Sequence, residues 1–568
     1  MDVASRFPDA RWRRLAASVA SAGLLVLTIC CFAPALRAYY AVDDYLFLAI
    51  SRLLQQPWSL FVNNHYPGSE YFRPFGLFFW WSVTGFAKAS APMQYAANLA
   101  LHLCGAGALY ALLQRLSKNA LANVFWTGLY AVHPLAIGTA LWLSARFDLL
   151  STFFSLLAVN LAIAYAQRPR VATLLALLSF LLLALMSKEA GVIACAVAWI
   201  TIAFAPRSDL NWVRRGLPLG LIALLTLGWI AYRAWMLSSS GVETNEVPTW
   251  TVLFQGLGRW LALGATYLFS DPRMPAWGKI LVGLAMPFWL MGLVLRMRRS
   301  SLVGSISWGV IGALLALVVL PGILQAPIAL PNSEVIARDP FNQLIYFSRQ
   351  YELSLAGLVC LLMLLTRPGA RVAAPGEFST MRSTGLNFVA GFFLLLATSP
   401  VSHAIAHGYA SRTREQAALH RAIESTLAAA DLPEHGCRIY LLSVPDTHYF
   451  PGYSDSIAKG LAASPERLAH CLIQTERTPW AHFVRQGSIA PIDWSPMQPL
   501  RRRGKPIPWP EFGGIEVAYL NLEPEADARN DAHGLYFEYR DGRFVDISAD
   551  VREGRREVHF FNARPGQR

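Results

Sequence analysis

Apolar residues along this chain come in runs of roughly 16 to 22, each closed by a short basic or polar loop, and runs of that length match the ~30 Å hydrocarbon core of a bilayer. The pattern predicts spans at Leu15–Leu36, Gln94–Leu113, Leu121–Ile137, Leu149–Ala166, Val171–Met186, Gly191–Phe204 and Leu217–Met236. It continues with Ile280–Leu295, Leu302–Leu324, Leu353–Leu365 and Leu386–Thr398, about eleven spans in all, so the fold class is a polytopic α-helical membrane protein. Two further apolar stretches, FGLFFWWSVTGF in the first external loop (41–92) and Trp250–Phe269, are read as helices lying along the membrane surface. Counting either as a crossing would move the basic loop that follows it to the opposite side.

From about His403 the pattern changes to mixed charge punctuated by Pro and Gly. CRIYLLSV and GIEVAYLNL read as strands and REQAALHRAIESTLAAA as an amphipathic helix. GLYFEYRDGRFVDIS reads as a hairpin turning at Asp541-Gly542. These about 165 residues are enough to bury a core of their own. The expected division is therefore a membrane domain over 1–402 and an extracytosolic α/β domain over 403–568.

Composition agrees with the patterning: 54% of the 568 residues are hydrophobic and only 15% charged, too apolar for a soluble chain of this size. The net charge of +13 lies almost wholly in the membrane part, since Ser402 onward holds 20 Lys+Arg against 21 Asp+Glu. Loops such as QRPR and RMRRS carry that surplus, which sets orientation and implies no nucleic-acid partner. The N-terminal arginines, Arg6 to Arg14, precede a run too long for a cleaved signal and place the N-terminus in the cytosol. The C-terminal domain then emerges outside, in the periplasm if the membrane is a bacterial inner membrane. No Cys/His zinc spacing occurs. Cys437 and Cys471 are the two thiols in the polar region, and a periplasmic location would permit their oxidation, although their proximity is open at this point.

With this topology the unusual polar residues share one face. Asp43, Asp44, Arg73, His133, Arg146, Asp148, Lys188, Glu189 and Arg349 all fall at non-cytosolic ends of apolar runs. Asp43 and Asp44 in AVDDYLF suit a divalent cation such as Mg or Mn, or a general base acting on a hydroxyl; the alternative is a solvated pair capping the next helix. Arg146, Arg73, Lys188 and Arg349 suit a phosphate anion. Against that, Arg146 can be a snorkelling interfacial arginine, Arg73 a structural residue before proline, and Lys188 and Glu189 can neutralise one another. His133 before Pro134 reads as a helix-terminating, hydrogen-bonded histidine, and Asn98 with His102 as an i, i+4 pair for interhelical hydrogen bonds.

Taken in order, YFRPF, YAANLALH, HPLAIGTALWLSARFDLL and LMSKEAG resemble the membrane domain of the cadherin-modifying protein O-mannosyltransferases and their bacterial relatives, within the GT-C class of glycosyltransferases. The resemblance covers about residues 40–200 and is echoed in FSRQYELSLAG. It implies a GT-C-like membrane enzyme that transfers a sugar from a polyprenyl-phosphate donor on the outer face, with inversion. It implies that Asp43 or Asp44 is the catalytic base and supplies any metal ligand, and it maps the family's Arg-x-Asp onto Arg146 and Asp148. Independently of the resemblance, a departing lipid phosphate needs cations facing it, which makes Arg73, Arg146, Lys188 and Arg349 the donor-phosphate candidates. Asp148, Glu189 and His133 are in support, and Asp44 with Asp148 are the candidate metal ligands. Tyr95 stands where the family often has His and Gly138 where it often has Glu, and the tetratricopeptide repeats of animal members are missing. The acceptor, a cell-envelope protein, lipid or polysaccharide hydroxyl, is accordingly left open. Beside membrane lipids, the donor and that acceptor are the expected partners. The rival readings are a flippase of lipid-linked sugars, which would favour mid-span ionisable residues and repeat symmetry, and a non-catalytic scaffold.

Overall fold

The computed structural model describes residues 10–205 apart from 42, 55, 65–70, 89 and 118, then 212–239, parts of 250–260, 308–325, 348–366, 379–430 and 438–444. It also describes the strands between 472 and 521, and 534–558. The expected span Ile280–Leu295, the loop Arg296–Arg299 and both Cys437 and Cys471 lie outside the described residues. The chain is a mostly helical integral-membrane protein with a C-terminal sheet. It divides into two compact units, residues 1–36, 95–230 and 246–408 forming the first and residues 37–94, 231–245 and 409–568 the second. The first external loop thus groups with the C-terminal region, a division that periodicity along the chain does not reveal.

In the first unit, α1 (Ala10–Phe32) packs on α5 (Ala120–Val132), and α7 (Arg146–Gln167) packs on α8 (Val171–Ser187) and α9 (Gly191–Ala203). The stack continues from α9 to α11 (Trp308–Gln325) and from α11 to α12 (Glu352–Thr366), which reaches α5 and α6 (Pro134–Leu141). Four helices among the described residues are long and apolar enough to cross a membrane: Leu15–Arg37, Ala91–Leu116 (α4), Leu143–Gln167 and Val213–Ser238. The last belongs to α10 (Trp212–Ser239). Four shorter apolar helices accompany them, at Val171–Ser187, Gly191–Ala203, Gly309–Leu324 and Glu352–Leu364.

The stretch Leu121–Ile137, expected as one straight span, is instead α5 and α6 bent by 59° at His133-Pro134. Proline lacks the amide donor and its ring collides with the preceding turn, so the helix must restart. Counting the bent pair as one raises the candidate spans to five. Burial ranks these helices: 78% of the apolar window of α7 is inside the protein, against 22% for α1 and 17% for α10. Leu15, Val19 and Val26 of α1 and Leu224, Leu227 and Ile230 of α10 are exposed, as lipid-facing side chains are. The most buried of these four candidate spans is the one that contains α7, which begins with Arg146 and Asp148.

In the second unit, α2 (Asp44–Leu53) packs on α3 (Pro74–Ala87), which is the expected FGLFFWWSVTGF helix. Its 14 residues make it about 21 Å long, short of the ~30 Å bilayer core. The long helix α13 (Ser379–Ala429) absorbs the amphipathic REQAALHRAIESTLAAA segment. Beyond it, β1 (Arg438–Leu442) pairs in parallel with β2 (Leu472–Thr475) and with β8 (Gly534–Arg540). The seven-stranded order is β4-β7-β3-β2-β1-β8-β9, with β3 at Trp480–Gln486, β4 at Gln498–Pro499, β7 at Ile515–Asn521 and β9 at Arg543–Asp546. The β8–β9 hairpin turns at Asp541-Gly542, whose φ of 48° and 82° are the two positive values that a primed hairpin turn demands. Tyr440 and Tyr536 stack at 4.7 Å at the centre of a small core with Leu442, Ile547, Val551 and Val558.

Glu538 of β8 is buried and hydrogen-bonded by Arg540 and Arg556. Burial pushes its carboxyl up, but the two guanidinium groups outweigh burial and hold it below the ordinary glutamate range. A lowered folded value means the stabilisation is complete above the ordinary carboxylate pKa of ~4.3 and is lost as pH falls through the folded value. Hydrogen exchange of β1 and β8 in the intact protein is therefore expected to accelerate below about pH 4. Glu538→Gln should exchange faster at neutral pH and lose most of that acid dependence.

Candidate active site

The site in the first unit is built on the turn between α6 and α7. His133 caps α6, its Nδ1 accepting from Leu135 N at 3.1 Å, with Pro134 in the first turn where no amide is needed. Eight residues later α6 ends at Trp142, a 3₁₀ turn covers Leu143–Ala145, and α7 opens with Arg146. Arg146 is fully buried, and its Nε donates to Asn98 Oδ1 of α4 at 2.6 Å. Asn98 Nδ2 in turn donates to the Trp142 carbonyl at 3.4 Å. Arg349 lies with its guanidinium carbon 4.3 Å above the Trp142 ring, a cation–π contact. Its neighbour Ser348 is tied to α6, because Gly138 N donates to Ser348 Oγ at 2.8 Å.

Asp148 sits in the first turn of α7, where the helix dipole favours a carboxylate. Its Oδ1 accepts from Lys188 Nζ, which closes α8. Lys188, Glu189 and Ala190 form the tight turn into α9, where Gly191 N donates back to Lys188 O at 2.9 Å. Gly191 is required by proximity: a Cβ there would stand 2.4 Å from the backbone carbon of Ala184. Gly191→Ala is expected to cost ~1–3 kcal/mol, since backbone cannot step aside as a side chain can. The same change should part Lys188 from Asp148, and thermal melting of the detergent-solubilised protein, compared with Gly85→Ala, checks it. No atom lies within 4 Å of a Cβ at Gly85.

The segment 142–148 thus carries Arg146 and Asp148, with Lys188 paired to Asp148 and Arg349 stacked over Trp142. Asn98, expected from the sequence to hydrogen-bond between helices, does so here, whereas nothing in the sequence pointed to Trp142. Asn98 orients Arg146, and Trp142 supports Arg349. A second buried group adjoins this one along the chain. Tyr130 donates to Glu352 Oε1 at 2.9 Å, His102 Nδ1 lies 3.5 Å from the same oxygen, and His102 Nε2 donates to the Ala131 carbonyl at 2.8 Å. The signal for Glu352 was present, as a lone acid inside FSRQYELSLAG, because ionisable residues within membrane helices are seldom ornamental.

Asp43, Asp44 and Arg73 belong to the second unit. Asp44 is buried at the first position of α2, and its Oδ2 accepts from Ala41 N at 2.9 Å while its own amide donates to Ala41 O at 3.0 Å. The capping work at this helix start is done by Asp44, since the half-buried Asp43 makes no side-chain cap bond. Arg73 occupies the cap position before Pro74, with its guanidinium carbon 4.2 Å over the Tyr71 ring.

A divalent cation finds a poor donor set in these residues. Asp148 is neutralised by Lys188, and one Asp44 oxygen already accepts a backbone amide. No group of three His, Cys, Asp or Glu able to hold a metal occurs among the described residues.

No protein-family description and no curated protein matches this chain. Among solved structures, the oligosaccharyltransferase of Archaeoglobus fulgidus, crystallised with zinc and sulfate, aligns over 74% of the chain at 11% identity and a TM-score of 0.36. The chain spans 60% of that protein's length. ArnT from Cupriavidus metallidurans, bound to undecaprenyl phosphate, aligns over 90% of this chain and 98% of its own at 15% identity and a TM-score of 0.38. Its apo form gives 88%, 98%, 16% and 0.35. Likeness at this level leaves the site to be read from the chain's own residues.

Proposed function

We propose that this protein is an integral-membrane glycosyltransferase of the GT-C class that moves a sugar from a polyprenyl-phosphate donor to an extracytosolic hydroxyl. The observation that supports it most is that Arg146, Lys188 and Arg349 each contact the 142–148 segment or its anchor, Arg146 through Asn98, Lys188 through Asp148 and Arg349 through Trp142. Arg146 is fully buried among these helices, and guanidinium groups match phosphate in shape as well as charge. The ordered motifs of residues 40–200 favour the same reading.

In the proposed reaction an acidic-pair carboxylate, Asp43 or Asp44, takes the proton from the acceptor hydroxyl. The acceptor oxygen bonds to the anomeric carbon as the bond from that carbon to the phosphate oxygen breaks. The electron pair leaves with the polyprenyl phosphate, whose added charge is stabilised by Arg146, Arg349 and Lys188. Lys188 engages phosphate at the expense of its pair with Asp148. One displacement inverts the anomeric configuration.

The test is transfer by purified protein in nanodiscs, supplied with polyprenyl-phosphate hexose or pentose and cell-envelope extracts. Labelled sugar appearing on an envelope acceptor with inverted configuration is the expected result. Intact donor crossing vesicles with no transfer would overturn the proposal in favour of a flippase.

A further inference from the structure

The second unit holds a cavity of about 500 Å³ that the proposed reaction does not use. Its mouth carries Arg37, Arg52, Arg414 and Arg421, all exposed, and its inner wall carries Tyr39, Tyr45 and His420. Helical spacing explains how the chain builds it. Tyr45, Leu48 and Arg52 recur along one face of α2, and Arg414, Ala417, Arg421 and Glu424 along one face of α13. Residue 39 is pinned by its backbone, whose amide donates to Thr413 Oγ1 at 3.1 Å. The Tyr45 ring stacks on His420 at 5.0 Å.

A solvated arginine is ordinary, and four on an open surface would call for no ligand. Here they come from three separate chain segments and face one concavity, where Glu424 is the single lining carboxylate among the described residues. That carboxylate is already engaged, since its Oε1 lies 3.4 Å from His420 Nδ1. His420 is buried among the lining residues, and its Nε2, closed off from solvent, makes no hydrogen bond. Burying an imidazole nitrogen without a partner costs free energy. The cavity is of ligand size, and its floor is aromatic with hydroxyl handles.

We propose that this cavity binds a phosphate ester carried on a hydroxylated carbon skeleton. The guanidinium groups take the phosphate, and the wall formed by Tyr39, Tyr45 and His420 takes the carbon skeleton. A phosphate accepts several guanidinium forks at once, which a single carboxylate cannot do. Arg37 is the last residue of the apolar helix Leu15–Arg37. The same chemistry is available from an anionic phospholipid headgroup or from a soluble polyol phosphate. Binding here stands apart from the transferase reading, because it is measured with no sugar transfer.

The probes are glycerol 3-phosphate, by calorimetry on the full-length protein in neutral detergent, and phosphatidylglycerol retained from mixed phosphatidylcholine nanodiscs, by native mass spectrometry. Wild type is expected to bind at least one probe, more weakly as salt rises. The double variant Arg52→Gln/Arg421→Gln should weaken it by about tenfold or more, and Arg52→Lys/Arg421→Lys by less. The exposed Arg543→Gln should leave binding unchanged, and melting temperatures should confirm that all variants are folded. Loss confined to the lipid assay identifies a headgroup, and loss confined to calorimetry a soluble ligand. No binding of either probe, or equal binding by wild type and the Gln double variant, overturns the site.

Discussion

Arg146→Gln is expected to lower transfer by roughly 10²–10³-fold, the loss typical when one preorganised donor to a developing anion is removed. Arg146 is buried, anchored by Asn98, and rooted at the start of the most buried candidate span. Glutamine can still hydrogen-bond but carries no charge and reaches less far. Arg146→Lys keeps the charge and loses the planar fork, so it should recover only part of the rate. Asn98→Ala separates anchoring from charge: the guanidinium stays while its orienting acceptor goes, and a fall of about tenfold is expected. Single-turnover transfer, with thermal melting beside it, reads all three. If Arg146→Gln transfers within about threefold of wild type while remaining folded, the phosphate role of this cluster is wrong.

The acidic pair should divide its labour. Asp43→Asn is expected to cut kcat/KM by ~10²–10⁴, as loss of a general base does, with little change in melting temperature. Asp44→Asn keeps an oxygen that can accept from Ala41 N, so its fold should survive and its rate fall less. Asp44→Ala loses that bond and should cost about 1 kcal/mol of stability. The pH profile is the sharper readout, because the acidic limb set by the base should vanish from the residual rate of Asp43→Asn. An unchanged rate in both Asn variants would remove the pair from the chemistry, and a larger loss in Asp44→Asn would exchange their roles.

Much of this was legible in the chain before any coordinates. The apolar runs from Gln94 to Phe204 correspond to α4 through α9, because lipid demands that every backbone amide be satisfied within its own helix. The Asp541-Gly542 hairpin was legible for a local reason too, as two consecutive positive φ angles suit few residues. The break at His133-Pro134 was visible as a proline, but its 59° bend was not, since the angle depends on what packs against each half. Trp142 escaped notice because it is unremarkable in its own segment, Glu352 stood out only as a lone acid, and Asn98 was legible as an interhelical hydrogen-bonding residue but without its partners. Asn98 and Trp142 acquire meaning only when α4 and the 142–148 turn meet.

By itself, then, the sequence determined the class of the protein, the places where helices start and stop, and the set of unusual polar residues at their ends. Hydropathy, proline and helix caps act over a few residues, so they are written locally. Tertiary structure alone decided which of those polar residues share a turn, that Lys188 is paired with Asp148, and that Asp44 faces back to Ala41. It alone brought the arginines of residues 37, 52, 414 and 421 to one cavity, because partners hundreds of residues apart meet only through packing.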